Sequence, residues 1–263
     1  MLLIDTHCHI HSPEFFSAVE AEHALSQAIK NGVSKIILVG TSLEDSIIAI
    51  KFAHTHPKNC WVSVGIHPHE ASKLSLNQIK THLKELAKLA TDSKVVAIGE
   101  TGFDFYYNDP KSALKPQEIL LRGQIEIALS NGLPLSFHVR EAFNDFWRVF
   151  QSYTSVQGVL HSFTDSSNHA TKAIQHGLMF GINGISTFTS HIWQQELFKN
   201  LPLENIVVET DAPFLTPRPK RGNINTPESV IYITEYLAHL RGETEIKFAH
   251  ATTANAERLF KLT

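Results

Sequence analysis

The run Leu2-Leu-Ile-Asp-Thr-His-Cys-His9 decides the fold. Its apolar start reads as a buried strand, and it ends in two histidines two positions apart. Side chains at i and i+2 of a strand project from the same face, so His7 and His9 can grip one divalent cation. In a chain with 16 histidines an isolated His-X-His carries little weight. The weight comes from four more candidate ligands, Glu100, His138, His161 and Asp211, each closing a separate apolar run.

Those runs are Leu2–Asp5, Lys35–Val39, Trp61–Gly65, Val95–Gly99, Leu135–His138, Val159–His161, Leu178–Gly181 and Ile206–Glu209. Helical patterns lie between them. Ser75–Leu89 places Leu76, Ile79, Leu83, Leu86 and Leu89 at helical intervals. Pro116–Leu129 opens with proline and stops at Asn131-Gly132, and His250–Phe260 reads as a final helix covering the barrel's end. Eight strands, each followed by a helical or looped segment, form a βα repeat in the α/β class. A doubly wound open sheet would leave the first and last strands several spacings of about 4.8 Å apart. A TIM (β/α)8 barrel sets the eighth strand beside the first and turns all six polar residues toward one mouth, at the C-terminal strand ends where such barrels carry their active sites. Convergence of the ligands favours the barrel, as one domain over residues 1–263.

Composition is consistent with this. The chain is 43% hydrophobic and 19% charged, ordinary globular values, and has no apolar stretch of membrane-spanning length. No basic leader precedes the first strand, and Cys8 and Cys60 cannot make a disulfide framework, so a cytoplasmic location is expected. Monomer is the default expectation. A net charge of −3 excludes a generally basic nucleic-acid coat while allowing a local basic patch.

Six ligands exceed one tetrahedral structural zinc site. They suit two divalent ions: His7, His9 and Asp211 around one, His138 and His161 around the other, with Glu100 bridging. Two cations lower the pKa of a bound water and stabilise attacking and leaving oxygens, so the expected chemistry is hydrolysis. Asp211 can also accept the water's proton. A mixed N/O set accommodates Mg, Mn, Zn or Co.

The chain resembles the TatD-type metal-dependent deoxyribonucleases, within the amidohydrolase-like barrels. The matching segments are Asp5-Thr-His-Cys-His9, Gly65-Ile-His-Pro-His69, Ala97-Ile-Gly-Glu-Thr-Gly102 with Asp104-Phe-Tyr106, and Leu135-Ser-Phe-His-Val-Arg140. They continue with Gly158-Val-Leu-His161, Val208-Glu-Thr-Asp-Ala-Pro213, Leu215-Thr-Pro-Arg-Pro-Lys-Arg-Gly222 and Thr252-Thr-Ala-Asn-Ala-Glu-Arg-Leu-Phe260. The resemblance implies a TIM-like barrel that hydrolyses DNA phosphodiester bonds with a divalent metal, commonly as an exonuclease trimming 3′ ends of single strands. His7, His9, Glu100, His138, His161 and Asp211 fall on the family's ligand positions, and His67 falls where a phosphate-contacting histidine is expected. The chain departs from the family pattern at His11, where aspartate is frequent, at Ser162, where cysteine is common, at Asp165 and at Asn223-Ile-Asn225. None of these removes a ligand; they bear on substrate preference and the pocket rim.

Around this core, Glu100, Asp211 and His67 are the expected catalytic residues. His69 is a weaker candidate. Arg140 can clasp a phosphate or pair with Glu141. Arg218, Lys220 and Arg221 form a basic rim, with Arg218 and Arg221 as candidate phosphate contacts. Among Phe103, Phe105, Tyr106 and Tyr107 at most one or two should touch unpaired bases, Tyr106 foremost. Cys8 should point into the core. The few cationic residues at the rim imply a shallow salt dependence of binding. Two other readings stay open from the residues: a binuclear amidohydrolase acting on a small amide, ester or phosphoester, and a non-catalytic metal-binding barrel. Many of the former bridge their metals with a modified lysine at the fourth strand, where this chain has Glu100. The complete ligand set weighs against the latter.

Overall fold

A computed structural model describes residues 2–262, leaving the two end residues of the expected 1–263 unit outside the described residues. Eight strands follow one another round a parallel sheet in sequence order: β1 Leu3–Cys8, β2 Val33–Val39, β3 Cys60–Val64, β4 Val95–Asp104, β5 Leu135–Arg140, β6 Gly158–Leu160, β7 Met179–Ile182 and β8 Ile206–Val208. The ring closes at the mouth: Cys8 bridges Ala212 in parallel fashion, His9 N–H donates to the Ala212 carbonyl at 2.8 Å, and Asp211 N–H donates to the His7 carbonyl at 2.8 Å. The expected TIM barrel is therefore the fold, and the open doubly wound sheet is set aside. Among the described residues, no helix is long and apolar enough to cross a membrane.

Alternation along the strands divides the core in two. In β2, Ile37 and Val39 point into the barrel, where they meet Ile4, Trp61, Val96, Val159, Met179 and Val207. Ile36 and Leu38 point outward into the larger cluster shared with the surrounding helices. The final helix, Glu245–Phe260, seals the barrel end with Ala256, Leu259, Phe260 and the following Leu262. It starts five residues before the expected His250. Thr244 caps it by accepting from Lys247 N–H, and the outward-facing Ile246 breaks the apolar stripe that would have marked its first turns.

Two irregularities in pleat aim the site. Pairing of β1 with β2 shifts register between Asp5 and Cys8, so one extra residue lies on β1. Ile4 faces the barrel interior and Cys8 the outer core, and after the shift His7 and His9 turn into the mouth. Strand β4 runs to Asp104, five residues past its expected end at Gly99, and shifts register against β5 between Ile98 and Thr101. Such bulges re-aim side chains near active sites. Beyond the shift Thr101 and Phe103 are buried against the surrounding shell, while Glu100 and Asp104 reach the mouth. Gly102 pairs with His138 at a φ of 150°, and a Cβ there would overlap the His138 carbonyl oxygen. Only glycine lets β4 approach β5 this closely.

Ser75 caps the helix Leu76–Leu89 in a capping box with Gln78, with Ile79 and Leu86 on the buried face. The helix expected from Pro116 instead begins at Pro110, capped by Asp109, and runs through Pro116 to Asn131. Its first turns carry only Ala113 and Leu114 among polar residues and prolines, too few to show an apolar period, which hid the true start; the stop at Gly132 matches.

Candidate metal centre

All six residues that end apolar runs in the sequence meet at the mouth of the barrel. His7 Nε2 lies 3.3 Å from His9 Nε2 and 3.7 Å from Asp211 Oδ1, and His9 Nε2 lies 3.4 Å from Asp211 Oδ1. Glu100 Oε2 completes the set, 3.5 Å from His7 Nε2. Ligands about 2.0–2.1 Å from a tetrahedral ion stand about 3.3–3.4 Å apart, so His7 Nε2, His9 Nε2 and Asp211 Oδ1 fit one cation with little movement, and Glu100 Oε2 adjoins that group through His7. The other Glu100 oxygen faces a second group: Oε1 is 2.6 Å from His138 Nδ1 and 3.7 Å from His161 Nε2. One carboxylate thus presents an oxygen to each group, the arrangement a bridge between two ions requires. His9 is oriented for this, because its Nδ1 donates to the Val39 carbonyl at 2.8 Å, leaving Nε2 with a lone pair.

The electrostatics suit cations. Burial alone would push the Glu100 carboxyl up, but the surrounding His67, His161 and His138 outweigh it and hold the group well below its ordinary range. Burial also favours neutral imidazoles, yet the carboxylates facing His138 and His161 hold these rings up at about 9 and about 10. The cluster therefore attracts positive charge.

His67 Nε2 lies 3.6 Å from Glu100 Oε1, while its Nδ1 accepts the His69 backbone N–H at 3.1 Å. Burial, reinforced by the neighbouring His138, pushes its pKa down to about 3, so the ring is neutral with its proton on Nε2. A nitrogen carrying a proton donates rather than ligates. His69 turns away from the ligands; its Nε2 is 3.1 Å from Asp104 Oδ2.

Two residues absent from the sequence-based site belong to it. Asp104 Oδ2 sits 2.9 Å from His138 Nε2, and Glu209 Oε1 sits 2.8 Å from His161 Nδ1. Spacing offered a signal for both: Asp104 is i+4 from Glu100 on the same strand, and Glu209 is i−2 from Asp211. Ending β4 at Gly99 concealed the first.

At the rim, the Arg140 guanidinium lies 3.7 Å over the Tyr106 ring and 5.2 Å from that of Tyr107, rather than pairing with Glu141. Tyr106 and Tyr107 are both exposed, whereas Phe103 is buried. Arg218 is exposed on its loop, and Arg221 stacks 4.0 Å over Phe188 while bonding the Thr216 carbonyl. Cys8 is buried, its Sγ against the Ile37 carbonyl. The departures from the family pattern are built into the walls. His11 faces Asp45 at 3.2 Å, Ser162 N–H donates to Glu209, and the Asn225 amide bonds the carbonyls of Thr210 and Phe214, pinning the loop that carries Asp211.

Comparison with known proteins places the family and the fold. A family model described as TatD related DNase matches residues 4–261. The chain is 35% identical to an uncharacterized metal-dependent hydrolase of Buchnera aphidicola, covering 100% of this chain and 97% of that protein. It is 33% identical to the 3′-5′ ssDNA/RNA exonuclease TatD of Pantoea ananatis, over 99% of this chain and 100% of that one. The crystal structure of YjjV, a TatD homolog from Escherichia coli K12, superposes with a TM-score of 0.89 at 29% identity, covering 99% of this chain and 98% of that one.

Proposed function

The chain belongs to the TatD-related DNase family of metal-dependent hydrolases, and from that premise we propose that it is a two-metal nuclease that trims single-stranded DNA from the 3′ end. The observation that carries this reading is Glu100, whose two oxygens face two separate groups of donors. His7, His9 and Asp211 hold one ion, His138 and His161 the other. Mg, Mn, Zn and Co all suit this donor set. Divalent cations bound there supply a water of lowered pKa and neutralise phosphoryl oxygens.

The chain's own groups do the rest. Asp211, at the barrel mouth and held below its ordinary pKa against burial by His9 and His161, is an anionic acceptor for the attacking water's proton. Neutral His67 directs its Nε2–H at a phosphoryl oxygen, where a donor stabilises charge that grows in the transition state. Arg140, Arg218 and Arg221 are the phosphate contacts. The exposed Tyr106 face, backed by the Arg140 plane, offers a stacking platform that only an unpaired base can reach. The named activity of the Pantoea relative, on single-stranded DNA and RNA, supports the same substrate class.

The test is a single-stranded oligonucleotide labelled at either end, incubated with protein and Mg or Mn. A 5′-labelled strand should yield a ladder of products shortened from the 3′ end, and both EDTA and Glu100→Ala should abolish it. Internal nicking without trimming would remove the exonuclease part alone. Turnover of small amides or esters with DNA untouched would overturn the proposal.

A further inference from the structure

The two groups of donors differ in what stands behind them. His9 leans on a neutral backbone carbonyl. Behind His138 and His161, by contrast, stand carboxylates. His138 turns Nδ1 toward Glu100 and is backed at Nε2 by Asp104; His161 is backed at Nδ1 by Glu209 and turns Nε2 toward Glu100 and Asp211. The two rings therefore present opposite nitrogens to the same position, and in each case a carboxylate selects which.

Both carboxylates are themselves immobilised. Asp104 is 1% exposed, and its Oδ1 accepts the backbone N–H groups of Tyr106 at 2.9 Å and Tyr107 at 3.3 Å. Glu209 is 1% exposed and accepts Ser162 N–H at 2.8 Å. Gly181 of β7 leaves room for it, since a Cβ there would overlap Glu209 Oε2. A carboxylate behind an imidazole fixes the tautomer and strengthens the opposite nitrogen as a ligand, and its charge adds attraction for a dication.

Resting on the two-metal reading, we propose that Asp104 and Glu209 are positioning residues dedicated to the second cation, so that occupancy of the two positions is controlled separately. They touch neither substrate nor ion. Their effect passes through His138 and His161, and the His9–Val39 contact that orients the other position does not involve them.

Zn or Mn titration into metal-free protein, followed by calorimetry and by competition with a chromophoric chelator, reads the two positions. Wild type should bind two equivalents. Asp104→Leu and Glu209→Leu should keep one equivalent at unchanged affinity and weaken the other about 10–100-fold. Asp104→Asn, which retains an acceptor for His138 Nε2–H, should recover part of the loss. Gly181→Ala should weaken the same equivalent by displacing Glu209 while leaving every ligand intact. In the Zn-loaded protein, ¹⁵N-histidine NMR should report metallation of His138 at Nδ1 and of His161 at Nε2, and Asp104→Leu should erase the His138 signature without perturbing His9. Equal weakening of both equivalents, or no weakening of either, would overturn the proposal and leave the two-metal reading standing. A wild-type protein that takes up fewer than two equivalents would overturn the two-metal reading and the proposal with it.

Discussion

At His67 the direction of one backbone N–H decides what the ring can do. By donating to Nδ1, the His69 amide leaves the imidazole proton on Nε2, so a ring amid the candidate ligand histidines becomes a hydrogen-bond donor. His67→Ala should therefore lower kcat about 10²-fold or more, the usual cost of deleting an oxyanion donor, while bound metal measured by mass spectrometry stays at the wild-type level. Loss of metal along with activity would make His67 a ligand instead. A second residue-scale test concerns His11 and Asp45. Burial pushes the Asp45 carboxyl up, but His11 and the Thr41 N–H outweigh it and hold the group at about 2, against an ordinary 3.8. A carboxyl depressed in the folded state contributes stability that is present above the ordinary value and lost as pH falls through the folded one. Urea unfolding should show wild type more stable than Asp45→Asn by on the order of 2 kcal/mol near pH 5, the gap closing as pH drops toward about 2. A gap independent of pH would contradict the pairing. The histidines and acids at the mouth were legible in the sequence because each closes an apolar run. Asp104 and Glu209 offered only their spacing, because each pairs with a histidine from another strand and that pairing exists only once the barrel is closed.

Among the elements, β1 and β4 are where regular pleating would have misplaced the chemistry. Strict alternation from Ile4, which faces the interior, would send His7 outward; the extra residue between Asp5 and Cys8 reverses that. A register shift leaves no mark on the apolar pattern of a short strand, so the strands themselves were legible and their bulges were not. The same holds for the last five residues of β4, where Thr101, Gly102 and Asp104 interrupt the apolar run although the strand continues. Helix starts were hidden differently, by sparsely apolar first turns after Asp109 and by an outward Ile246 after Thr244. Gly102→Ala tests how closely β4 must approach β5. The added methyl would collide with the His138 carbonyl oxygen, and at φ 150° an L side chain is strained in any case. Destabilisation of about 3 kcal/mol in urea is expected. A loss under about 0.5 kcal/mol, the level of an ordinary surface change, would show that the two strands can separate freely.

For the molecule as a whole, barrel closure turns residues far apart in sequence into one cage: Asp211 N–H bonds the His7 carbonyl across 204 positions, something an open sheet could not arrange. The charge pattern makes a separate demand. With a net charge of −3 and Arg140, Arg218 and Arg221 as phosphate contacts, log affinity for single-stranded DNA should fall with log salt at a slope of about −2. A slope of about −5 or steeper would call for a long basic groove that the rim does not offer. The central claim is that six strand-end residues share two cations. Crystals grown with Mn and measured at an anomalous wavelength address it most directly. Two anomalous peaks are expected, one among His7 Nε2, His9 Nε2, Asp211 and Glu100, the other among Glu100, His138 Nδ1 and His161 Nε2. A single peak, or peaks with Glu100 on neither, would contradict it.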